Sequence, residues 1–291
     1  MLRKGEPHAM SITIGIDIGG STTKIVGIQD GVIITPMLVR ANDPIASLFG
    51  AFGKFIDQNS LPLRFVERIM ITGVGASYIS KPIYGLPTAR VEEFLANGLG
   101  GLFLTGLTHA IIVSMGTGTA LVEASEDGIR HIGGTGIGGG TILGLSGRML
   151  NIRDIELVIK TAEEGDLSHV DLMVGDLTKD ILPGLPPYTT ASNFGRISDV
   201  ATNGDIALGI INMVLQSIGM TAIFAVRGCG VRDIALIGKL SVLPQCGDVF
   251  NLLKRLFSVE FIIPENAEYA TAVGAALAYL RNKRYEDIEA I

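Results

Sequence analysis

The run Gly15-Ile16-Asp17-Ile18-Gly19-Gly20-Ser21-Thr22-Thr23-Lys24 constrains this chain most. An acid, a glycine pair, hydroxyls and a lysine follow directly on the β-branched alternation Ile12-Thr13-Ile14-Gly15-Ile16, which reads as a strand. Asp17 then closes the strand, Gly19-Gly20 form a turn, and Lys24-Ile25-Val26-Gly27-Ile28 resumes the strand pattern. The glycines let backbone N–H groups turn toward phosphate oxygens, while Ser21, Thr22 and Lys24 add donors and charge. Asp17 repels a bare phosphate and suits a magnesium ion or its water shell. Taken alone, the motif is equally an ordinary glycine-rich hairpin.

Two later segments shift that balance. The apolar run from His109 to Ser114 leads into Met115-Gly116-Thr117-Gly118-Thr119 and then Ala120-Leu121-Val122-Glu123, again strand, Gly/Thr turn, strand. The segment Gly133-Gly134-Thr135-Gly136-Ile137-Gly138-Gly139-Gly140-Thr141 precedes a helix-like stretch starting at Ile142. A helix opening just after such a loop offers unsatisfied N–H groups and a positive dipole end, which suit an anion. Together the three segments point to a nucleoside triphosphate held between two related halves. No G-x-x-x-x-G-K-[ST] segment occurs, so a P-loop is excluded.

At 291 residues the chain is long enough for two domains. Its formal charge of −6 and the lack of any Lys/Arg block exclude nucleic-acid binding through a basic surface. Cys229 and Cys246 have no metal-ligand spacing, which agrees with a reducing cytosol and idle or buried thiols. A mean hydropathy of +0.44 raises the question of a membrane. The apolar stretches Gly101 to Met115 and Met220 to Val226 are short or interrupted by Thr105, Thr108 and His109, and read as buried strands and core helices. Met1 to Met10 hold no apolar core of a signal peptide, and residues 1–9 are set aside from the fold argument.

Pro44 to Gln58 places Ile45, Leu48, Phe49, Phe52 and Phe55 at helical spacing, and Val66 to Thr72 reads as a strand ending in Gly73-Val74-Gly75-Ala76. A boundary is expected after the segment Arg90 to Gly106, where the second hairpin repeats the opening pattern as a weak internal repeat. Ile152 to Lys179 reads as charged and helical, followed by a Pro-rich loop from Leu182 to Tyr188. Ala207 to Arg227 reads as a long apolar helix closed by Gly228, Asp233 to Gly238 as a late strand, Val259 to Ile263 as the last strand, and Ala267 to Leu280 as an Ala-rich helix. Strands alternating with helices give an α/β architecture.

With these segments in order, the chain resembles the type II pantothenate kinases, a class built on the actin-like ATPase fold. The resemblance runs from Ile12 to Leu280. It is carried by Asp17-Ile18-Gly19-Gly20-Ser21, Val91-Glu92-Glu93-Phe94, Gly116-Thr117-Gly118-Thr119 and the loop from Gly133 to Gly140. Ala191-Ser192-Asn193-Phe194-Gly195, Ile237-Gly238, and Glu265-Asn266 leading into Gly274-Ala275 continue it. The resemblance implies two actin-like (ribonuclease H-like) domains, 10–107 and 108–291, with a nucleotide cleft between them. It also implies an ATP- and Mg2+-dependent kinase acting on the primary hydroxyl of pantothenate, a cytoplasmic location and a homodimer, with no nucleic-acid or membrane partner.

By the same resemblance Glu93 is the catalytic base, a carboxylate placed to take the proton of an attacking alcohol. Glu92 would point about 100° away around a helix, so only one of the two can face the cleft. On the residues alone, both could be solvated acids favoured by a helix dipole. The resemblance places Gly19, Gly20, Ser21, Thr22, Lys24, Gly116, Thr117, Gly118, Thr119, Gly138, Gly139 and Gly140 at the phosphates and Asp17 at the metal. Gly238, with Lys239, falls near the adenosine. Ser192 and Asn193 either line the substrate tunnel or cap a following helix.

One position departs from the pattern. The family usually carries an arginine just before the apolar-Gly-Gly opening of its glycine loop, and here His131 stands before Ile132-Gly133, with Arg130 one residue earlier. Neighbouring strand residues face opposite sides, so Arg130 does not replace it without a bulge. A neutral imidazole would hold a carboxylate less firmly than a guanidinium. Arg130, His131 and Gly133 are therefore substrate-side candidates, with pantetheine or another pantoyl-like alcohol as alternatives to pantothenate. A kinase for N-acetylglucosamine or another sugar, and a non-catalytic nucleotide sensor or activator ATPase, are the rival readings.

Overall fold

The structure, a computed structural model, describes residues 11–40, 43–180, 182–281 and 288–291, with only the backbone at 288–290. The segment 1–9 set aside above lies outside the described residues, as does Met10. The chain divides into two compact units. Unit 1 takes the chain up to Ile112 and adds Val122–His131 and Pro264–Ile291; unit 2 takes Val113–Leu121 and Ile132–Ile263.

Unit 1 opens with β1 (Ile12–Ile18), β2 (Thr22–Gln29) and β3 (Val32–Arg40), an antiparallel meander that starts from the alternation of isoleucines at 12, 14, 16 and 18. The helix α1 (Pro44–Gln58) follows; Asp43 caps it by accepting from the Ala46 N–H at 2.7 Å, and Pro44 fits its first turn. Leu48, Phe52 and Phe55 face the sheet fully buried, and each contributes about 1.5–3 kcal/mol. Strands β4 (Val66–Thr72) and β5 (Thr88–Val91) run parallel to β1, and α2 (Glu93–Thr105) leaves directly from β5. The division into units passes through β6 (His109–Met115), β7 (Thr119–Ser125) and β8 (Ile129–Thr135).

Unit 2 continues with α3 (Gly139–Met149), α4 (Ile155–Ala162), the short β9 (Leu172–Met173) and α5 (Val174–Leu177), then β10 (Thr190–Ser192) and α6 (Asn203–Cys229). Strand β11 (Asp233–Ile237), α7 (Cys246–Phe257) and β12 (Glu260–Ile262) complete it, with sheet order β12-β11-β6-β7-β8. The chain then returns to unit 1 as α8 (Ala270–Leu280) and β13 (Ile288–Ala290), whose sheet runs β13-β5-β4-β1-β2-β3.

Several boundaries differ from the sequence reading, each for a local reason. Ile152–Lys179 is not one helical stretch but α4, a 3-10 turn, β9 and α5, because Asp154 and Asp166 each cap a new element. Helix α6 begins four residues earlier than the apolar pattern and ends at Gly230 rather than Gly228. A capping box starts it: Thr202 and Asp205 exchange backbone-to-side-chain hydrogen bonds. Burial pushes the Asp205 carboxyl up. Hydrogen bonds from Thr202, Asp166 and His169 outweigh that and hold its pKa at about 2. By length and composition α6 could cross a membrane, but 61 % of its apolar window is buried, and it packs on α3, α4 and α7 within unit 2. Gly133 to Thr135 complete β8 instead of belonging to a loop, and α3 starts at Gly139 rather than Ile142.

Helices α2 and α8 make the tightest packing in unit 1. A Cβ at Gly100 would lie 1.9 Å from the Ala270 carbonyl oxygen, and one at Gly274 would lie 1.8 Å from that of Ala96, so the two backbones touch. The Thr271 hydroxyl donates to Asn97 Oδ1 at 2.8 Å across the same crossing. Gly100→Ala should therefore lower the unfolding free energy by about 3 kcal/mol, since neither backbone can yield. Gly50→Ala on α1, where a Cβ meets open space, should instead stabilise by about 0.5–1 kcal/mol. Urea denaturation of both variants reads the contrast, and equal effects would contradict this account of the crossing.

Candidate active site

The two adjacent acids at the start of α2 have separate tasks. Glu92 is the N-cap, its Oε2 accepting from the Leu95 N–H at 2.8 Å, so its charge is spent on the helix end. Glu93, in the first turn, is half-buried, and its pKa is raised to about 7. Desolvation is the main cause; the carboxylates of Asp17 and Glu92 add to it, and Lys24 opposes it.

Asp17 and Lys24 face one another across the β1–β2 register, and Lys24 Nζ lies 3.1 Å from Asp17 Oδ2 in a buried pair. Thr72 is the partner of Asp17 on the other side, in the parallel β1–β4 register, so Lys24, Asp17 and Thr72 form one row on the same sheet face. The buried Thr72 hydroxyl has no hydrogen-bond partner among the described residues. Gly73 follows at φ +86°, and a Cβ there would meet Asp17 Oδ1 at 2.6 Å, so the residue after Thr72 must be glycine. In the first turn, the Gly19 N–H donates to the Thr22 carbonyl; Gly20 and Ser21 are exposed and Thr22 is buried.

His131 lies on β8 with its ring stacked on Phe94, the residue after Glu93, with centroids 3.9 Å apart and planes within 5°. Arg130 takes the other side of the strand and pairs with Glu123 at 2.5 Å. Hydrogen bonds from Arg130 and His109 outweigh desolvation and hold the Glu123 carboxyl below the usual range. The structure therefore brings Asp17, Lys24, Glu93 and His131 into one unit, and places Arg130 in a surface ion pair.

In unit 2 the Gly116–Gly118 turn and the glycine loop are joined by backbone contacts. The N–H groups of Gly139 and Gly140 donate to the carbonyls of Gly116 and Thr117, both at 2.9 Å, and Thr119 Oγ1 donates to the Ile137 carbonyl at 2.8 Å. A Cβ at Gly138 would strike Thr117 O at 2.6 Å. Thr117 and Gly140 are exposed, and Gly133 and Gly118 are half-buried. Gly238 follows β11 against Met115, and Lys239 lies 3.7 Å from Glu156. Ser192 is exposed, whereas the Asn193 amide turns inward to Asp171 and Gln216.

A family profile described as Fumble matches residues 106–246. The chain is 30 % identical over 236 residues to the type II pantothenate kinase of Staphylococcus aureus strain USA300, covering 77 % of this chain and 83 % of that one. The chain belongs to the type II pantothenate kinase family. A second member, from Bacillus thuringiensis subsp. konkukian, is 30 % identical over 200 residues, with 67 % and 69 % of the two chains covered. Among solved structures, the activator of 2-hydroxyisocaproyl-CoA dehydratase from Clostridium difficile aligns at TM-score 0.66 and 17 % identity over 94 % of this chain and 99 % of that one. A ROK family glucokinase from Streptomyces griseus aligns at TM-score 0.57 and 13 % identity over 91 % and 98 %. The fold is accordingly that of the actin-like ATPases and ROK sugar kinases.

The sequence reading passed over Thr72, Phe94 and Asp171. Thr72-Gly73 carried a signal, a hydroxyl and a glycine at a strand end like that of Asp17-Ile18-Gly19; Asp171 carried none.

The raised Glu93 pKa has a consequence for stability. Between about pH 4.5 and 7 the native protein keeps a proton on Glu93 that the unfolded chain has lost, so this group makes the fold less stable as pH rises through that window. Glu93→Gln removes the effect. Its Tm should gain on the wild type from pH 5 to pH 8 in parallel thermal scans; a constant gap would contradict the assignment.

Proposed function

We propose that this protein is an ATP-dependent kinase that phosphorylates the primary hydroxyl of pantothenate, the first step of coenzyme A biosynthesis. The observation that carries the proposal is Glu93: a half-buried carboxyl with a pKa of about 7, set beside Asp17 and Lys24 at a helix start. A general base is most effective when its pKa lies near the working pH. The names of the relatives above support the choice of substrate.

In this reading, Glu93 takes the hydroxyl proton as the alcohol oxygen bonds to the γ-phosphorus. The bond from that phosphorus to the bridging oxygen breaks, and its electron pair leaves with ADP. Lys24, the Gly19–Thr22 turn, the Gly116–Thr119 turn and Gly138–Gly140 are proposed at the phosphates and Gly238 at the adenosine. Gly139 and Gly140 act by letting the two loops close on each other, since their N–H groups are already donated. Asp17 suits magnesium: the ion takes one or two carboxylates and keeps its waters, and no cluster of three or more His, Cys, Asp or Glu exists among the described residues. When bound, magnesium would offset charge on the phosphate oxygens. A cytoplasmic homodimer belongs to the same proposal.

His131 bears on the acceptor. Its imidazole, stacked on Phe94, stands where the resemblance expects a guanidinium, which would bind a carboxylate more strongly. Pantetheine, which lacks that carboxylate, is therefore the second reading. The activator-ATPase reading, despite the fold likeness, meets two separate thiols: Cys229 is half-buried, and burial pushes Cys246 up to about 12, its Sγ donating to the Leu240 carbonyl.

ADP release measured with pantothenate, pantetheine and N-acetylglucosamine tests the proposal. Turnover is expected with a pantoyl alcohol and not with the sugar; a preference for the sugar would overturn it. Glu93→Gln should cost roughly 100-fold or more in kcat while retaining Mg-ATP binding. His131→Arg should raise kcat/KM for pantothenate relative to pantetheine.

A further inference from the structure

Asp171 is fully buried in unit 2, and it accepts four hydrogen bonds, none from a charged group. Oδ2 takes the Thr190 hydroxyl at 3.0 Å, the Asn212 amide at 2.9 Å and, more weakly, the Asn193 amide at 3.4 Å; Oδ1 takes the Phe194 N–H at 2.9 Å. Three of these donors lie at the end of β10 and the turn that follows. The fourth, Asn212, belongs to α6 and accepts in its turn from Gln216 at 3.2 Å.

The turn held in this way is strained. The Gly195 N–H donates to the Ser192 carbonyl, closing a four-residue turn with Phe194 at its third position and φ +55°, where glycine is usual. A bulky residue in that region costs energy and persists only where its surroundings over-determine it. Here they do so twice. The Phe194 N–H is fixed by Asp171, and its ring packs on Gly209 of α6, where a Cβ would come within 3.0 Å of Cζ. Gly209, Asn212 and Gln216 lie at i, i+3 and i+7, so one face of α6 seats the whole turn. Ala191 and Ser192 remain exposed on the outer side.

We infer that Asp171 is a positioning residue that locks the Ser192–Gly195 turn onto α6, presenting Ala191 and Ser192 to the acceptor alcohol while the Asn193 amide serves the lock. This rests on the kinase reading above, which places the turn on the acceptor side. A fully buried carboxylate with only neutral donors is a costly way to close a loop, and strain held by such a group points to a functional surface.

The test compares Asp171→Asn with the milder Asn212→Ala, which removes one donor and the Gln216 link and so remains informative if the first variant fails to fold. Amide hydrogen exchange across 190–195 should speed up roughly tenfold or more. The acceptor KM should rise roughly tenfold, with Mg-ATP affinity within about twofold of wild type. Unchanged exchange would show that Asp171 does not hold the turn. Faster exchange with an unchanged KM would show that the turn does not meet the acceptor. Both results overturn the inference while leaving phosphoryl transfer intact. If wild type turned over no acceptor, the kinase reading would fall, and with it the acceptor-facing half of the inference; exchange would still decide the lock.

Discussion

Backbone-to-backbone contact between α2 and α8 at Gly100 and Gly274 is the constraint on which unit 1 rests. Because α2 leaves β5 without a loop, its seat on α8 fixes where its first turn lies. That turn carries Glu92, whose carboxylate caps the helix, and Glu93, which is left half-buried near the Asp17–Lys24 pair. Glycine-tight packing far along the helix thus sets the electrostatics at its start. An acid desolvated by position and crowded by a second carboxylate holds its proton up to neutral pH, which a solvated helix-end glutamate would not.

The same logic of committed groups runs through the site. Lys24 has a partner in Asp17, the amides of Gly139 and Gly140 are bonded to the Gly116–Thr117 carbonyls, and the Asn193 amide is turned to Asp171. What remains for a ligand is the exposed Gly20-Ser21 turn, Thr117 and Ser192, with the unmatched hydroxyl of Thr72 in the row beside Asp17. A buried hydroxyl without a partner costs stability, and such debts collect where a protein meets its ligand.

Much of this was legible in the sequence. The bounds of α1 and β4 follow from one apolar period each, with Asp43-Pro44 marking the helix start, and the hairpins flanking Gly19-Gly20 and Gly116–Gly118 announced themselves as strand, turn, strand. The start of α6 did not, because Thr202 and Asp205 form their box inside a polar stretch that shows no apolar period. The glycines of β8 hid a strand behind loop-like composition. Asp17 and Lys24 were readable as separate site residues, but their pairing depends on strand register, which spacing alone leaves open. Asp171 was invisible because a lone acid between Val170 and Leu172 matches no motif; only the fold brings α6 and the β10 turn to it.

The central claim is that burial and neighbouring charge hold the Glu93 carboxyl near neutrality. A carbon-13 NMR titration of the glutamate side-chain carboxyls, with the Glu93 resonance assigned by its absence in Glu93→Gln, measures this directly. The account expects a midpoint near pH 7 for that resonance. A midpoint at the ordinary glutamate value of about 4.3 would contradict it.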